Sequence, residues 1–346
     1  MTITAPRPAA TRVPERPLRA ERTLTVPAMG GSLTLRVAHR PRAGAAAARA
    51  LVARDLARVA ARVDRWAARL TRYSDTSDLA LLNADPAATD VVVRPTLAAM
   101  LDWAERAVDL CPGRLDVTLL DERLAAETGT ADTGDTAGTG DTLPGSAPLT
   151  DPAGAGRSRW HLVRRPRGGL VVRRGTFRFD LDGVAKGAIA DRALGLLRGY
   201  PAAMVDADGD IALRLGDGTT WDIAVADPRR DGDVLGLLRL DGRLPGGLVG
   251  VATSGTSVHR WPGAAGGPAR HHLLDPRSRR PAVTDVVQVT VIAGSAREAE
   301  VLAKAAVIAG SDAAMDLLDR PGVAGALLLL DDGAVIAHPR TGAWLA

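Results

Sequence analysis

Short segments in which apolar and polar residues alternate are the feature that most constrains the fold of this chain. A period of two is typical of β-strands with one buried face, and Gly, Asp and Pro pairs that favour turns separate the segments. The segments are LTVPAMGGSLTLRVA, LVVRRGTFRFDL, AAMVDADGDIAL, TTWDIAVADP, DVLGLLRLDG, GLVGVATSG, QVTVIAG and AGALLLLDDGAVIAH. Strands therefore outnumber helices and run as meanders, which predicts an α+β fold with antiparallel sheets and packed helices rather than a doubly wound parallel sheet.

Four segments are predicted to be helices. Residues 43–70 repeat apolar side chains at helical spacing. Residues 95–113 begin with a Pro and end in a Pro-Gly pair, which are a helix start and a helix stop. Two more helices are predicted at residues 185–198 and 295–309.

One large domain is predicted, together with two segments that contain few apolar side chains to bury. Residues 1–24 are rich in Pro and Arg and predict a disordered tail. Residues 121–158 are dominated by Thr, Gly and Asp and predict a low-complexity surface insertion. The domain itself is expected to span residues 25–346, and the apolar content of the chain, 46%, suits a globular core.

The charge pattern and the cysteine count exclude several classes of protein. The net charge is +4, and the basic residues are spread among 40 acidic ones without interleaved aromatics, so a nucleic-acid partner is not expected. Cys111 is the only cysteine, which excludes an internal disulfide or a thiolate metal cluster. No apolar run reaches the ~20 residues of a membrane helix, and the N-terminus lacks the apolar region of a secretory signal. We therefore expect a cytoplasmic protein without membrane insertion.

A strand, a glycine turn and a helix are predicted around DLDGVAKGAIADRA, residues 180–193. The free N–H groups at a helix start attract anions, and Lys186 in the first turn adds a positive charge. Lys186 is one of only two lysines among 44 basic residues. The spacing matches neither a Walker A loop nor a dinucleotide fingerprint. A phosphate-binding role and a plain strand–helix connection with a solvated lysine both stay open.

Two more segments carry candidate chemistry. In RHHLLDPRSRRPA, His272 is placed to act as an acid, a base or a ligand contact, although a structural role is equally open. The neighbouring His271 alternates to the opposite face. On the helix predicted at residues 295–309, Glu300 and Lys304 are four residues apart and share one face. An ordinary surface ion pair and a partly buried functional pair are both compatible with this spacing.

Eight motifs, taken in order, resemble those of the ApbE family of FAD:protein FMN transferases. Each match is weak alone, but their order and spacing extend over residues 27–346. The motifs are Met29-Gly30-Gly31; Tyr73 with Ser77-Asp78-Leu79 and Asn83; Gly113-Arg114-Leu115-Asp116-Val117-Thr118; Asp180 to Asp191; Asp208-Gly209-Asp210-Ile211; Ala252-Thr253-Ser254-Gly255; His272 to Pro281; and the helix with Glu300 and Lys304.

The resemblance implies a T-fold-related α+β fold and a specific reaction. In this reaction the FMN half of FAD moves to a Thr or Ser hydroxyl of an acceptor flavoprotein, and AMP is released. The resemblance also implies a Mg²⁺ ion that polarises the pyrophosphate, with the backbone of Gly183 and the side chain of Glu300 facing the metal. His272 and Asp180 are expected to take part in catalysis. The residues expected to bind FAD are Met29, Tyr73, Arg114, Leu115, Asp116, Asp180, Lys186, Thr253 and His272.

Two positions of the last helix depart from the family pattern. Glu300 stands where the family has Asp, and Lys304 stands where it has Thr. An ammonium group has no lone pair and is not a metal ligand. We hypothesise that Lys304 supplies a fixed positive charge where relatives bind the metal, with Glu300 as its partner. Two other activities stay open at this stage: hydrolysis of FAD to FMN and AMP, and binding of FAD without transfer.

Overall fold

The computed structural model describes residues 20–39, 45–128, 159–216, 218–258, 260–261 and 270–346. The helices in these ranges are α1 (Ala45–Leu70), α2 (Asp78–Asn83), α3 (Pro95–Leu110), α4 (Leu120–Thr128), α5 (Ala185–Leu196), α6 (Ala296–Ala309) and α7 (Ser311–Leu318). Among the described residues, no helix is both long and apolar enough to cross a membrane.

The strands alternate with these helices only in part. They are β1 (Ala20–Ala28), β2 (Gly31–His39), β3 (Asp90–Val93), β4 (Trp160–Arg165), β5 (Gly168–Arg173), β6 (Ala202–Ala207), β7 (Asp210–Leu215), β8 (Trp221–Ala226), β9 (Val234–Leu240), β10 (Leu248–Gly255), β11 (Arg260–Trp261), β12 (Arg270–His271), β13 (Leu274–Asp275), β14 (Arg280–Pro281), β15 (Val286–Ala293), β16 (Val323–Leu330) and β17 (Val335–Ala337).

The centre of the fold is an eight-stranded sheet in the order β1-β2-β6-β7-β10-β15-β16-β17. Every neighbouring pair in it is antiparallel. A three-stranded antiparallel sheet, β3-β5-β4, and the two-stranded ribbon β8-β9 lie beside it. The predicted α+β class and the predicted antiparallel meanders are confirmed.

Both faces of the central sheet are covered by hydrophobic cores. Successive residues of a strand point to opposite faces, and they therefore belong to different cores. Ala212 and Ala252 face the larger core, which contains the buried sides of α1, α3, α5 and α6. Leu213 and Val251 face a smaller core formed with the β8-β9 ribbon and Trp344. This is the alternation expected for strands buried on both sides.

Two hairpin turns lie side by side at the same end of the strands of the central sheet. Met29 and Gly30 join β1 to β2 with φ angles of 55° and 81°, and Asp208 and Gly209 join β6 to β7 with φ angles of 60° and 92°. Positive φ at both central residues is the requirement of a type I′ turn. Because β2 pairs with β6, the turns adjoin. A Cβ on Gly31 would lie only 2.1 Å from the Asp208 carboxylate, so a side chain at position 31 would displace that carboxylate.

Two predicted boundaries and one predicted strand are corrected by the structure. Residues 121–128, which the composition assigned to the insertion, belong to α4, since Leu120, Arg123 and Ala126 turn buried side chains inward. Residues 20–24, assigned to the tail, are part of β1, which pairs with β2. Residues 177–181 form no strand, although Phe177 and Phe179 are buried as the alternation predicts. The remaining parts of the predicted tail and insertion, residues 1–19 and 129–158, lie outside the described residues.

The contact between β10 and the start of α6 generates a stability prediction. A Cβ on Gly250 would lie 2.0 Å from the carbonyl carbon of Ser295, and backbone cannot move aside as a side chain can. We expect Gly250→Ala to lower the free energy of unfolding by about 3 kcal/mol in urea denaturation. Gly236→Ala in β9 is the matched control, because nothing lies within 4 Å of its Cβ position. Equal stabilities of the two variants would contradict the packing argument.

Candidate active site

A cavity of about 320 Å³ opens between the first hairpin turn, the end of α1 and the start of α5. Four residues predicted to bind FAD line it: Met29, Tyr73, Asp180 and Lys186. Tyr73 is 81% exposed, and the Arg72 guanidinium lies 4.5 Å from the centre of its ring, so the opposite face of the ring is the one available to stack on a planar ligand. Met29 has a positive φ angle, which is an unfavourable backbone conformation for a residue with a side chain.

A smaller cavity of about 60 Å³ adjoins the first, because Asp180 lines both. Its wall contains the other predicted FAD contacts of this region, one residue of the predicted metal site, and the lysine that stands in place of an expected metal ligand. These residues are Arg114, Leu115, Asp116 and His272, followed by Gly183 and Lys304. We call the two cavities together the cleft.

All but one of the nine predicted FAD-binding residues therefore come together in the cleft. The exception is Thr253 on β10, which lines neither cavity; its hydroxyl lies 2.8 Å from the hydroxyl of Thr290 on β15. Glu300 also lies behind the wall of the cleft rather than on it. The convergence of eight residues from distant segments supports the predicted site, and their individual roles stay predictions.

Arg123 on α4 organises the floor of the cleft. Its guanidinium donates to Asp180 at 3.1 Å and to Glu127 at 3.1 Å, and it pairs with Asp182 at 2.6 Å. Desolvation alone would raise the pKa of Asp182, but Arg123, Lys304 and Lys186 outweigh it and hold this pKa well below its usual range. Sequence reasoning missed Arg123 because it was counted within the insertion. The sequence nevertheless contains a sign of a helix at this place, because an Arg and a Glu stand four residues apart beside a Leu-Leu pair.

Asp116, which lines the smaller cavity, has one carboxylate oxygen without a hydrogen-bond partner among the described residues. Its Oδ1 accepts hydrogen bonds from the amide and the hydroxyl of Thr118 at 2.8 and 2.7 Å. Its Oδ2 is buried and has no hydrogen-bond partner within the described part of the chain. Because a buried acceptor without a partner is costly, this oxygen is suited to receive an N–H or O–H group of a ligand.

Helices α5 and α6 cap each other at the cleft. The buried Glu300 of α6 accepts a hydrogen bond from the amide of Gly187 in the first turn of α5 at 3.0 Å. In return, Asp191 of α5 accepts from the amides of Ala296 and Arg297 in the first turn of α6 at 3.0 and 3.1 Å. A Cβ on Gly187 would lie 2.6 Å from the Ala296 carbonyl oxygen, so glycine permits this close approach. Carboxylates at helix starts satisfy amides that otherwise lack partners.

Two buried carboxyl groups and two lysines share the space behind this junction. Desolvation raises the pKa of Glu300 to about 7, against the opposing effects of Lys304, the Gly187 amide and Lys186. Desolvation and repulsion from Glu300 raise the pKa of Asp210 well above its usual range. The two groups therefore resist carrying two negative charges at once.

Lys186 already has a partner on the neighbouring hairpin turn. Its ammonium group donates to Asp208 at 2.9 Å. Although desolvation would lower the pKa of Lys186, this bond and the charges of Asp208, Asp210 and Asp182 raise it. Lys186 lies in the first turn of α5 as the sequence indicates, and it enters the cleft as one half of an ion pair.

The two neighbouring histidines point to different places, as the alternation predicts. His271 is buried, and its Nε2 lies 3.0 Å from the carbonyl oxygen of Ala282. His272 lies between β12 and β13 and lines the smaller cavity. Of the two, His272 is therefore the one placed to meet a ligand.

The ion-pair network of Arg123 generates a second prediction. Arg123→Met should lower the free energy of unfolding by about 3 kcal/mol, because it leaves carboxylates at the cleft without their counter-charge. Chemical denaturation at pH 7 measures this loss. The control is Arg230→Met, whose exposed side chain lies 4.0 Å from Asp233 and should cost less than about 0.5 kcal/mol. A loss for Arg123→Met no larger than the control's would refute the organising role.

The raised pKa of Glu300 makes stability depend on pH. Between the ordinary value of 4.5 and about 7, the folded chain keeps a proton that the unfolded chain has released. The contribution of this proton to the free energy of unfolding is therefore complete below pH 4.5. As the pH rises through 7, roughly 2–3 kcal/mol of the free energy of unfolding is lost. We expect Glu300→Gln to remove this loss when unfolding is measured at pH 5 and pH 8. The same pH dependence in both proteins would show that Glu300 ionises normally.

Comparison with known proteins finds similarity to one protein family. A sequence profile of the ApbE family matches residues 29–328. The FAD:protein FMN transferase of Treponema pallidum is 30% identical over 190 residues, which cover 51% of this chain and 48% of that protein. The enzyme of the same name from Rhodobacter capsulatus is 32% identical over 164 residues, covering 46% and 29%. The chain thus spans about half the length, or less, of the curated relatives it matches.

Solved structures share the fold over almost the whole chain. The apo flavinyl transferase ApbE of Pseudomonas stutzeri superposes with a TM-score of 0.67 and 23% identity, covering 94% of this chain and 97% of that one. The ApbE protein of Thermotoga maritima superposes with a TM-score of 0.69 and 24% identity, covering 94% and 100%. With the family profile matching most of its length, this chain belongs to the ApbE family.

Proposed function

We propose that this protein is an FAD:protein FMN transferase, which moves FMN from FAD to a Thr or Ser hydroxyl of an acceptor flavoprotein and releases AMP. The observation that carries the proposal is the convergence of eight predicted FAD contacts on one cleft. The names of the curated relatives support the same activity.

The cleft offers separate environments to the parts of FAD. The larger cavity pairs the exposed ring of Tyr73 with the Met29 turn, which suits an aromatic ring system. The pyrophosphate is assigned to the junction of the two cavities, where the start of α5 and the two lysines supply positive charge. The free oxygen of Asp116 accepts a donor group of the same ligand.

The proposed transfer exchanges one phosphorus–oxygen bond for another. The acceptor hydroxyl oxygen attacks the phosphorus of the FMN phosphate, and the bond from that phosphorus to the bridging oxygen breaks. AMP leaves with the bridging oxygen, and the hydroxyl proton passes to His272, which acts as the base. Asp180, held by Arg123 and by the amide of Asp182, keeps a fixed negative group beside this base and orients the reacting parts.

The residues of the cleft do not fit the Mg²⁺ ion that the family implies. One carboxylate oxygen of Glu300 is engaged by the Gly187 amide, and the Lys304 ammonium occupies the space beside Gly183. An ammonium donates hydrogen bonds and repels a cation. Within the described residues, no group of three or more His, Cys, Asp or Glu side chains is arranged to hold a metal. We therefore assign no step of the reaction to a metal.

Mass spectrometry tests the proposed activity. We expect an acceptor flavoprotein incubated with this protein and FAD to gain the mass of an FMN phosphoryl group, while its Thr→Ala version gains none. His272→Asn should bind FAD but transfer FMN about 10²- to 10⁴-fold more slowly. Free FMN and AMP without labelling would establish hydrolysis instead, and intact bound FAD would establish a binding protein.

A further inference from the structure

The two lysines of this chain lie at one place in the fold. The sequence uses arginine almost everywhere, yet lysine stands at both of these positions, far apart in the sequence. Lys186 reaches the cleft from α5, and Lys304 reaches it from α6. A lysine ammonium is a compact point charge, whereas a guanidinium is a broad planar fork. A narrow space at this position accounts for the choice.

The Lys304 ammonium lies in such a space. A Cβ on Gly183 would lie 1.9 Å from Lys304 Nζ and 3.0 Å from Lys304 Cε. The end of the lysine therefore packs directly over the backbone of Gly183, and any side chain at position 183 would displace it. The same group forms part of the wall of the smaller cavity, next to Asp180 and His272.

Acidic groups surround this ammonium without making direct contact. The Lys304 ammonium forms no side-chain hydrogen bond and no ion pair within 4.0 Å among the residues that the structure describes. Its charge nevertheless helps to hold the pKa of Asp182 below its usual range, and it opposes the rise that desolvation causes in the pKa of Asp210 and Glu300. The ammonium thus balances the acidic cluster through space, and its N–H donors stay available to the cavity.

We propose that Lys304 is the built-in cation of this site: its ammonium takes the place of a divalent ion, so the acidic cluster binds no metal. The charge is fixed by a covalent chain rather than recruited from solution. In the second part of the inference, which rests on the proposed function, the same ammonium donates hydrogen bonds to the pyrophosphate of FAD. The first part is independent of that function.

Manganese titration of the FAD-free protein tests the first part. We follow free Mn²⁺ by electron paramagnetic resonance, which reports binding without any enzymatic turnover. Wild-type protein should remove no stoichiometric Mn²⁺ from solution at concentrations up to about ten times that of the protein, and its thermal midpoint should be the same in EDTA and in Mg²⁺. One tightly bound Mn²⁺ per chain, displaced by Mg²⁺, would overturn the proposal.

Binding of FAD tests the second part. Flavin fluorescence should give wild-type protein the same FAD affinity in EDTA as in Mg²⁺. Lys304→Met, which keeps the length of the side chain but not its charge, should bind FAD about tenfold to hundredfold more weakly, as expected for loss of a charged hydrogen bond. Lys304→Gln serves as a second neutral variant, and thermal unfolding confirms that each variant is folded.

The two parts fail in distinguishable ways. If wild-type protein binds no FAD, the proposed function is wrong, and the Mn²⁺ titration still decides whether Lys304 replaces a metal. If FAD binds equally well to wild-type protein and to both neutral variants, the pyrophosphate contact is wrong. If FAD binding to wild-type protein requires Mg²⁺, the built-in cation is wrong.

Discussion

The reciprocal capping of α5 and α6 is the constraint on which the cleft depends. Glu300 caps the start of α5, and Asp191 caps the start of α6, so neither helix can shift without exposing the amides of the other. Gly187 allows the backbones to meet closely enough for both caps to form. Since Lys304 follows Glu300 by one helical turn, the same junction places the Lys304 ammonium over Gly183.

This junction also explains why a buried acid with a raised pKa persists in the fold. A carboxylate at a helix start is stabilised by the amides and by the helix dipole. Glu300 gains that interaction, but its burial makes the charged form of the carboxyl group less favourable through desolvation. The nearby lysines reduce this cost, so structural capping and the electrostatics of the cleft are supported by the same group. A shorter or neutral side chain at position 300 would change both together.

Local chemistry made much of the fold predictable. The Met29-Gly30 and Asp208-Gly209 turns follow from residue types that tolerate positive φ, and the strands around them follow from alternation. Helix α4 was missed because the Thr-, Gly- and Asp-rich sequence begins within its last turn, so the segment around the buried Arg123 was assigned to the insertion. The extended segment at residues 177–181 was predicted as a strand because its side chains alternate between buried and partly exposed positions. Its amides bond to loop carbonyls and to the Asn83 side chain rather than to a neighbouring strand.

From the sequence, the residues of the candidate site could be predicted only where they belong to a recognisable motif. The resemblance located eight of the cleft residues, but spacing along a chain does not reveal which group neutralises which. The Glu300 cap is one such case, because it joins residues 113 positions apart. Arg123 is another, since its partners Asp180 and Asp182 lie beyond the insertion. Such pairings depend on how the helices pack, and only the folded structure contains that information.

The ion pairs of the cleft determine which of the two lysines attracts an anionic ligand most strongly. Lys186 is held by Asp208, and Arg123 is held by Asp180 and Asp182, so a phosphate reaching either cation must compete with a carboxylate already in place. Lys304 has no direct partner in the described part of the chain. An ammonium without a carboxylate partner exchanges only water for an arriving phosphate, while an engaged one must also give up its carboxylate. The strongest attraction for a pyrophosphate in this cleft therefore comes from α6, and the start of α5 contributes amides more than net charge.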